Sequence, residues 1–241
     1  MNSVRWSIAG AGVALLGTAA CGAPAAQAGR VAQDGRAAAS ACAPVSVISA
    51  RGTTEPQSGS HLLKPIGTKI LKRVPGATYT ELRYPASWAK TSSNAGVTNL
   101  VKLLNDSARK CPKQRFVLLG YSQGAWVVGD ALVAPAGRVS GKTAGLVGRA
   151  ASGKIAAVAM FGDPRFNPKE PYDRGTFDRS KHGKIARPQG ALSTYASRIQ
   201  NYCNRGDLVC QTTGSWNAHL AYFTNGTPNQ ALTFVLSRLQ G

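Results

Sequence analysis

Phe116-Val117-Leu118-Leu119, then Gly120-Tyr121-Ser122-Gln123-Gly124, then Ala125-Trp126-Val127-Val128-Gly129-Asp130-Ala131-Leu132 is the stretch that decides the fold. An unbroken apolar run reads as a buried strand, and the apolar run after the glycines reads as a helix. A G-x-S-x-G between a strand and a helix carries its serine on a sharp, strained turn, with the hydroxyl projecting outward. Side chains at Gly120 and Gly124 would collide with the neighbouring strand and helix. The helix begins just after Ser122, so its unpaired N–H groups face any negative charge that develops there. Ser122 is therefore a candidate nucleophile.

Working outward, residues 45–50 form an apolar strand running into Arg51-Gly52-Thr53-Thr54-Glu55. Residues 62–74 and 95–108 carry apolar side chains at helical spacing. Residues 79–84 alternate as a strand does and stop at Pro85. Residues 155–161 and 199–202 read as strands, and 231–239 as a helix. Residues 134–153 read as a loop holding at most one short helix, and 163–190 as a long excursion rich in Pro, Gly, Asp and Lys. Strands alternating with helices imply an α/β architecture: a mostly parallel sheet of about five strands with helices on both faces.

The chain has 241 residues, 43% of them hydrophobic, which suits one domain with a substantial core. Arg5 followed by a small apolar run, with Ala26-Gln27-Ala28 as a cleavage site, reads as a secretion signal over 1–28. Residues 29–41 then read as a flexible tail and 42–241 as a single domain. Thr18-Ala19-Ala20-Cys21 offers the alternative of a lipid anchor at Cys21. Without Cys21 four cysteines remain, an even number suited to an exported chain. Of the three ways to pair them, proximity joins Cys203 to Cys210 and leaves Cys42 for Cys111. No C-x-x-C or histidine cluster accompanies them, so no metal or cofactor is expected. The net charge is +19. The basic residues are scattered, with no basic helix, which argues for adsorption to anionic surfaces rather than specific nucleic-acid binding.

A nucleophilic serine needs a base, and the base an orienting acid. The chain holds His61, His182 and His219. An acid and then a histidine following the serine is the order expected of this architecture, which favours His219. Asp207 follows the last strand inside the Cys203–Cys210 loop, and Asp163 ends the strand before it; both remain candidates for the acid. Asp163 would otherwise serve a turn or a helix cap.

These segments together resemble the cutinase family of serine esterases. The matching pieces are Ala50-Arg51-Gly52-Thr53-Thr54-Glu55, the Gly120–Gly124 motif, Cys203-Asn204-Arg205-Gly206-Asp207-Leu208-Val209-Cys210, and His219-Leu220-Ala221-Tyr222, in family order. Phe161-Gly162-Asp163-Pro164 is similar to the actinobacterial branch. The resemblance implies a minimal α/β-hydrolase with the triad Ser122, Asp207 and His219, the two disulfides paired above, and an oxyanion hole built from Thr53 and Gln123. It implies a secreted, monomeric enzyme acting on cutin, polyester, acyl or lipid esters. Acetyl xylan esterases share the scaffold and are the alternative reading; a non-catalytic surface binder is a more distant one. Trp88, Leu208, Val209, Trp216, Leu220 and Tyr222 are candidates for an acyl-binding wall, or else ordinary core.

Overall fold

The computed structural model describes residues 42–240; the expected leader, Cys21 and the tail lie outside them. The elements in chain order are β1 (Val45–Ala50), α1 (Leu63–Arg73), β2 (Thr78–Glu81), α2 (Lys90–Lys110), β3 (Arg115–Tyr121), α3 (Gln123–Leu132), α4 (Arg149–Ser152), β4 (Ile155–Phe161), β5 (Asp173–Arg174), β6 (Ile199–Tyr202), α5 (Trp216–Leu220) and α6 (Thr227–Gln240). The sheet runs β2-β1-β3-β4-β6-β5, and every neighbouring pair is parallel.

Strand alternation divides the core in two. Phe116 and Leu118 of β3 pack on one face with Val97, Leu100 and Leu104 of α2 and Val127 and Ala131 of α3. Val117 and Leu119 pack on the other with Leu63, Ile66 and Ile70 of α1 and Ala231 and Val235 of α6. Both faces are covered, which is why β1, β3 and β4 read as continuous apolar runs rather than as alternating ones.

The strand order fixes where a site can form. From β1 the chain crosses to the edge strand β2 and then returns to the other side of β1 as β3. The loops leaving β1 and β3 therefore diverge and open a crevice beyond their C-terminal ends. Ala50 and Gly120 are register partners at that edge, so the loop holding Thr53 and the turn holding Ser122 start side by side.

The sheet has one strand more than the apolar runs announced. β5 is two residues long, lies inside the 163–190 excursion, and pairs Asp173 with Asn201 of β6. A two-residue strand is too short to show a period. The 79–84 run is also shorter in structure: pairing stops at Glu81, and the carbonyls of Leu82 and Tyr84 turn to the Arg51 guanidinium instead. Disulfides join Cys42 to Cys111 and Cys203 to Cys210.

Candidate active site

Ser122 occupies the turn between β3 and α3 with φ 55° and ψ −119°, a conformation that L-residues avoid. The turn is held because Ser122 N–H donates to the Phe161 carbonyl at 2.8 Å, while the Ser122 carbonyl accepts from Ala125 and Trp126 at 3.0 and 3.2 Å. A Cβ at Gly124 would lie 1.8 Å from the Ala50 carbonyl oxygen, and one at Gly120 would lie 2.7 Å from Ala125 Cα. Neither neighbour is a side chain that could swing away, so the spacing of the motif is a packing requirement.

Asp207 and His219 come together beside this turn. Asp207 is fully buried in the loop that the Cys203–Cys210 disulfide closes. Its Oδ1 accepts from the backbone N–H of Val209 at 2.7 Å and Cys210 at 3.2 Å. His219 Nδ1 stands 3.0 Å from both carboxylate oxygens. The Tyr222 hydroxyl donates to Oδ2 at 2.7 Å and accepts from Asn204 N–H at 3.0 Å. Burial first, and then the Asp207 charge, push the Tyr222 phenol well above its usual range, so it stays a donor.

His219 sits on α5, whose start is capped by Ser215 Oγ accepting from Ala218 N–H at 3.2 Å. Asn204 Nδ2 reaches the Ala218 carbonyl at 3.0 Å, tying the aspartate loop to the histidine helix. The Tyr121 ring stacks on the imidazole at 5.1 Å and 20°, and its hydroxyl donates to the His219 carbonyl at 3.1 Å. Gly162, at φ 59°, makes room: a Cβ there would lie 2.6 Å from His219 Cε1.

Thr53 and Gln123 border the same cleft as Ser122 and His219. Gln123 is the first residue of α3, so its N–H has no preceding turn to bond. Its side chain is held away from that N–H, with Nε2 donating to the Ser87 carbonyl at 2.9 Å and Oε1 accepting from Ser92 at 3.1 Å. The Thr53 loop is braced from beneath. Buried Arg51 donates to the carbonyls of Glu55 at 2.8 Å and Tyr84 at 2.6 Å, and Glu55 Oε2 accepts from Gly52 N–H at 2.6 Å. Sequence reading quoted Arg51 and Glu55 but gave them no role. They flank Gly52-Thr53-Thr54 in a loop, and the composition of a loop carries no sign of where its side chains turn.

Asp163 has different partners. It accepts from Arg165 N–H at 2.8 Å and pairs with Arg187 at 2.9 Å, while Asp130 pairs with Arg165 at 2.5 Å. All four side chains are buried, Asp130 being supplied by α3 itself. This engagement takes Asp163 away from His219. Of the other histidines, His182 is exposed and bonds its neighbour's carbonyl at 2.8 Å, and His61 borders the cleft while its N–H donates to Glu55 at 2.8 Å. Among the described residues no hydrogen bond joins Ser122 to His219, and no cluster of three metal-ligating side chains is present.

The cleft encloses about 1140 Å³. Trp88, Val209, Trp216 and Leu220 line it, as the apolar-wall expectation had them. Leu208 does not line it, and Tyr222 is fully buried beneath Asp207, so neither belongs to the wall. Trp126, Val139 and Phe223 complete it and went unnoticed in the sequence, because only the fold brings them to the same mouth.

The chain matches the family model described as Cutinase over residues 41–239. It is 34% identical to Cutinase 11 of Verticillium dahliae, over 82% of this chain and 70% of that protein. It is 32% identical to phospholipase Culp4 of Mycobacterium tuberculosis, over 84% of this chain and 81% of that protein. Among solved structures, the catalytic core domain of acetyl xylan esterase from Trichoderma reesei superposes with a TM-score of 0.71 at 29% identity, covering 82% of this chain and 99% of that one. With the match spanning all but the first forty residues and the last two, the chain belongs to the cutinase family of carboxylic ester hydrolases.

Proposed function

We propose that this chain hydrolyses carboxylic esters through Ser122, His219 and Asp207. The observation that carries the reading is the buried Asp207–His219 pair, 3.0 Å apart, opening on the same cleft as a serine held on a strained turn. His219 takes the proton of Ser122 Oγ as it attacks the ester carbonyl. The N–H of Gln123, with the N–H and hydroxyl of Thr53, stabilises the tetrahedral oxyanion; losing one such donor typically costs about 10²–10³ in turnover. The imidazolium protonates the leaving alcohol, and the same imidazole activates the water that releases the acid. Asp207 fixes the tautomer with Nδ1–H and stabilises the imidazolium. The Ser122–His219 hydrogen bond forms with substrate in place, as catalytic hydrogen bonds often tighten only in the complex.

The apolar cleft favours acyl chains over acetate as the acid part. The likeness to acetylxylan esterase of Hypocrea jecorina, 31% identical over 82% of this chain and 68% of that protein, supports the second reading, in which acetylated xylan is the substrate. The two disulfides and the leader expected at 1–28 support export of the enzyme. Hydrolysis of p-nitrophenyl acetate, butyrate and palmitate, run beside Ser122→Ala, tests the assignment. Wild-type turnover of butyrate with a loss of about 10⁴-fold or more in the variant is expected. Unchanged turnover in Ser122→Ala would overturn it. A preference for acetate, together with release of acetate from xylan, would select the second reading.

A further inference from the structure

Among the described residues six large apolar side chains are exposed: Trp88, Val139, Leu146, Trp216, Leu220 and Phe223. All but Leu146 line the one cleft that holds Ser122. Trp88 is 74% exposed and Trp216 49%, and they meet edge to face at 6.4 Å. An apolar ring gathered around one mouth, with Leu146 alone standing apart from it, marks an interaction face.

Glu55 is the one carboxylate on the lining of that mouth, and its oxygens are taken up by Gly52 N–H, the Ser60 hydroxyl and His61 N–H. Ten acidic residues occur in the chain, and of the nine in the described region none is exposed; Asp130, Asp163, Asp173 and Asp207 are buried and the other five half-buried. A second groove of about 560 Å³ runs along α1, lined by Lys64, Lys69 and Lys72, and it shares His61 with the main cleft. No carboxylate lines it. Lys64 Nζ and Lys69 Nζ bond only neutral oxygens, of Ser58 at 2.9 Å and Asn229 at 3.2 Å, so their charges stay uncompensated.

We propose that the cleft face docks on an anionic lipid surface, the apolar rim entering the interface while Lys64, Lys69 and Lys72 meet the headgroups. Charge complementarity selects an anionic partner. The rim selects a lipid rather than an acidic polysaccharide, because Leu220 and Phe223 gain only by leaving water, and indole rings favour the boundary between headgroups and acyl chains. The docking gives the ester-hydrolase reading its substrate class but does not depend on turnover, so an inactive chain docks equally well.

Ser122→Ala protein is mixed with vesicles of phosphatidylcholine alone, or of an equimolar mixture with phosphatidylglycerol, both with brominated acyl chains. Binding is read by sedimentation and insertion by quenching of tryptophan emission. Binding and quenching are expected on the mixed vesicles, weakening as salt rises. Lys64→Gln, Lys69→Gln and Lys72→Gln combined should weaken that binding about a hundredfold, while the same lysine changes in the wild-type background leave butyrate-ester turnover unchanged. Equal affinity for the two vesicle compositions, binding without quenching, an unaffected triple variant, or capture by polygalacturonate with none by vesicles would each overturn the proposal. Failure of the ester-hydrolase reading would show separately, as wild-type turnover in Ser122→Ala.

Discussion

Asp207 is held by more than the histidine it faces. Two backbone N–H groups, one imidazole and one phenol fill its oxygens, and the phenol is the partner whose loss leaves the rest in place. Tyr222→Phe keeps the ring against Tyr121 and Phe161 but removes the donor to Oδ2 and the acceptor for Asn204 N–H. Two buried groups left short of partners cost about 1–3 kcal/mol each. We expect butyrate-ester kcat to fall about tenfold with KM unchanged, because Tyr222 orients Asp207 and touches no substrate. A variant of lower melting temperature but wild-type kcat at 25 °C would make the tyrosine merely structural. Of the proposed triad, Ser122 and His219 are nominated by the motif and by order along the sequence, while Asp207 stands beside Asp163 until the family resemblance favours it. Tyr222 was legible only as an apolar candidate for the cleft wall. Its ring and its hydroxyl carry opposite instructions, and the hydroxyl's partner lies fifteen residues away, in a loop whose path the chain does not announce.

At the scale of elements, apolar runs made β1, β3 and β4 readable, and helical spacing did the same for α1, α2 and α6. The motif glycines were readable as steric devices, and α3 lies so close to β1 that Gly124→Ala must push one of them aside. We expect that variant to lose ester turnover even where circular dichroism shows it folded, because the displaced element carries Gln123 or the Thr53 loop. Wild-type kcat in Gly124→Ala would show that the turn tolerates movement. The short strand β5 was unreadable, and it holds the least comfortable carboxylate in the structure. Burial, reinforced by Glu170 and Asp163 and opposed by the Glu170 N–H and by Arg174, pushes Asp173 up to about 8. Its Oδ1 has no partner among the described residues, nor does Oδ1 of Asn201, its register neighbour. The folded value lies above the unfolded one near 4. The native state therefore holds the proton more tightly, and this group's contribution to stability is present below about pH 4 and lost as pH rises toward about 8. Asp173→Asn removes the titration, and its amide can serve Asn201 Oδ1. We expect thermal scans to show the variant several degrees above wild type at pH 8 and level with it at pH 4. An advantage independent of pH would mean that Asp173 does not titrate in this window.

For the molecule as a whole, the two disulfides hold different things. Cys42–Cys111 spans 69 residues and ties the entry to β1 to the end of α2, on the side of the sheet away from the loops that carry Ser122. Closing a loop of that length restricts the unfolded chain by about 4 kcal/mol, while the cleft contains neither cysteine. Cys203–Cys210 spans only seven residues and frames Asp207 directly, with Cys210 N–H donating to its carboxylate. The long bridge thus acts on the equilibrium between folded and unfolded chains, and the short one on the geometry of one loop within the folded state. We expect Cys42→Ser with Cys111→Ser to lower the melting temperature by roughly 10 °C and to leave kcat at 25 °C within about twofold, since each kcal/mol moves a chain of this size by about 2–4 °C. Cys203→Ser with Cys210→Ser should do the reverse, losing about tenfold or more in kcat for a smaller fall in melting temperature, because Asp207 is freed to leave His219. Paired scans and butyrate-ester kinetics decide it: if the long-bridge variant loses activity before it loses structure, the division of labour is wrong, and the far side of the sheet is coupled to the cleft.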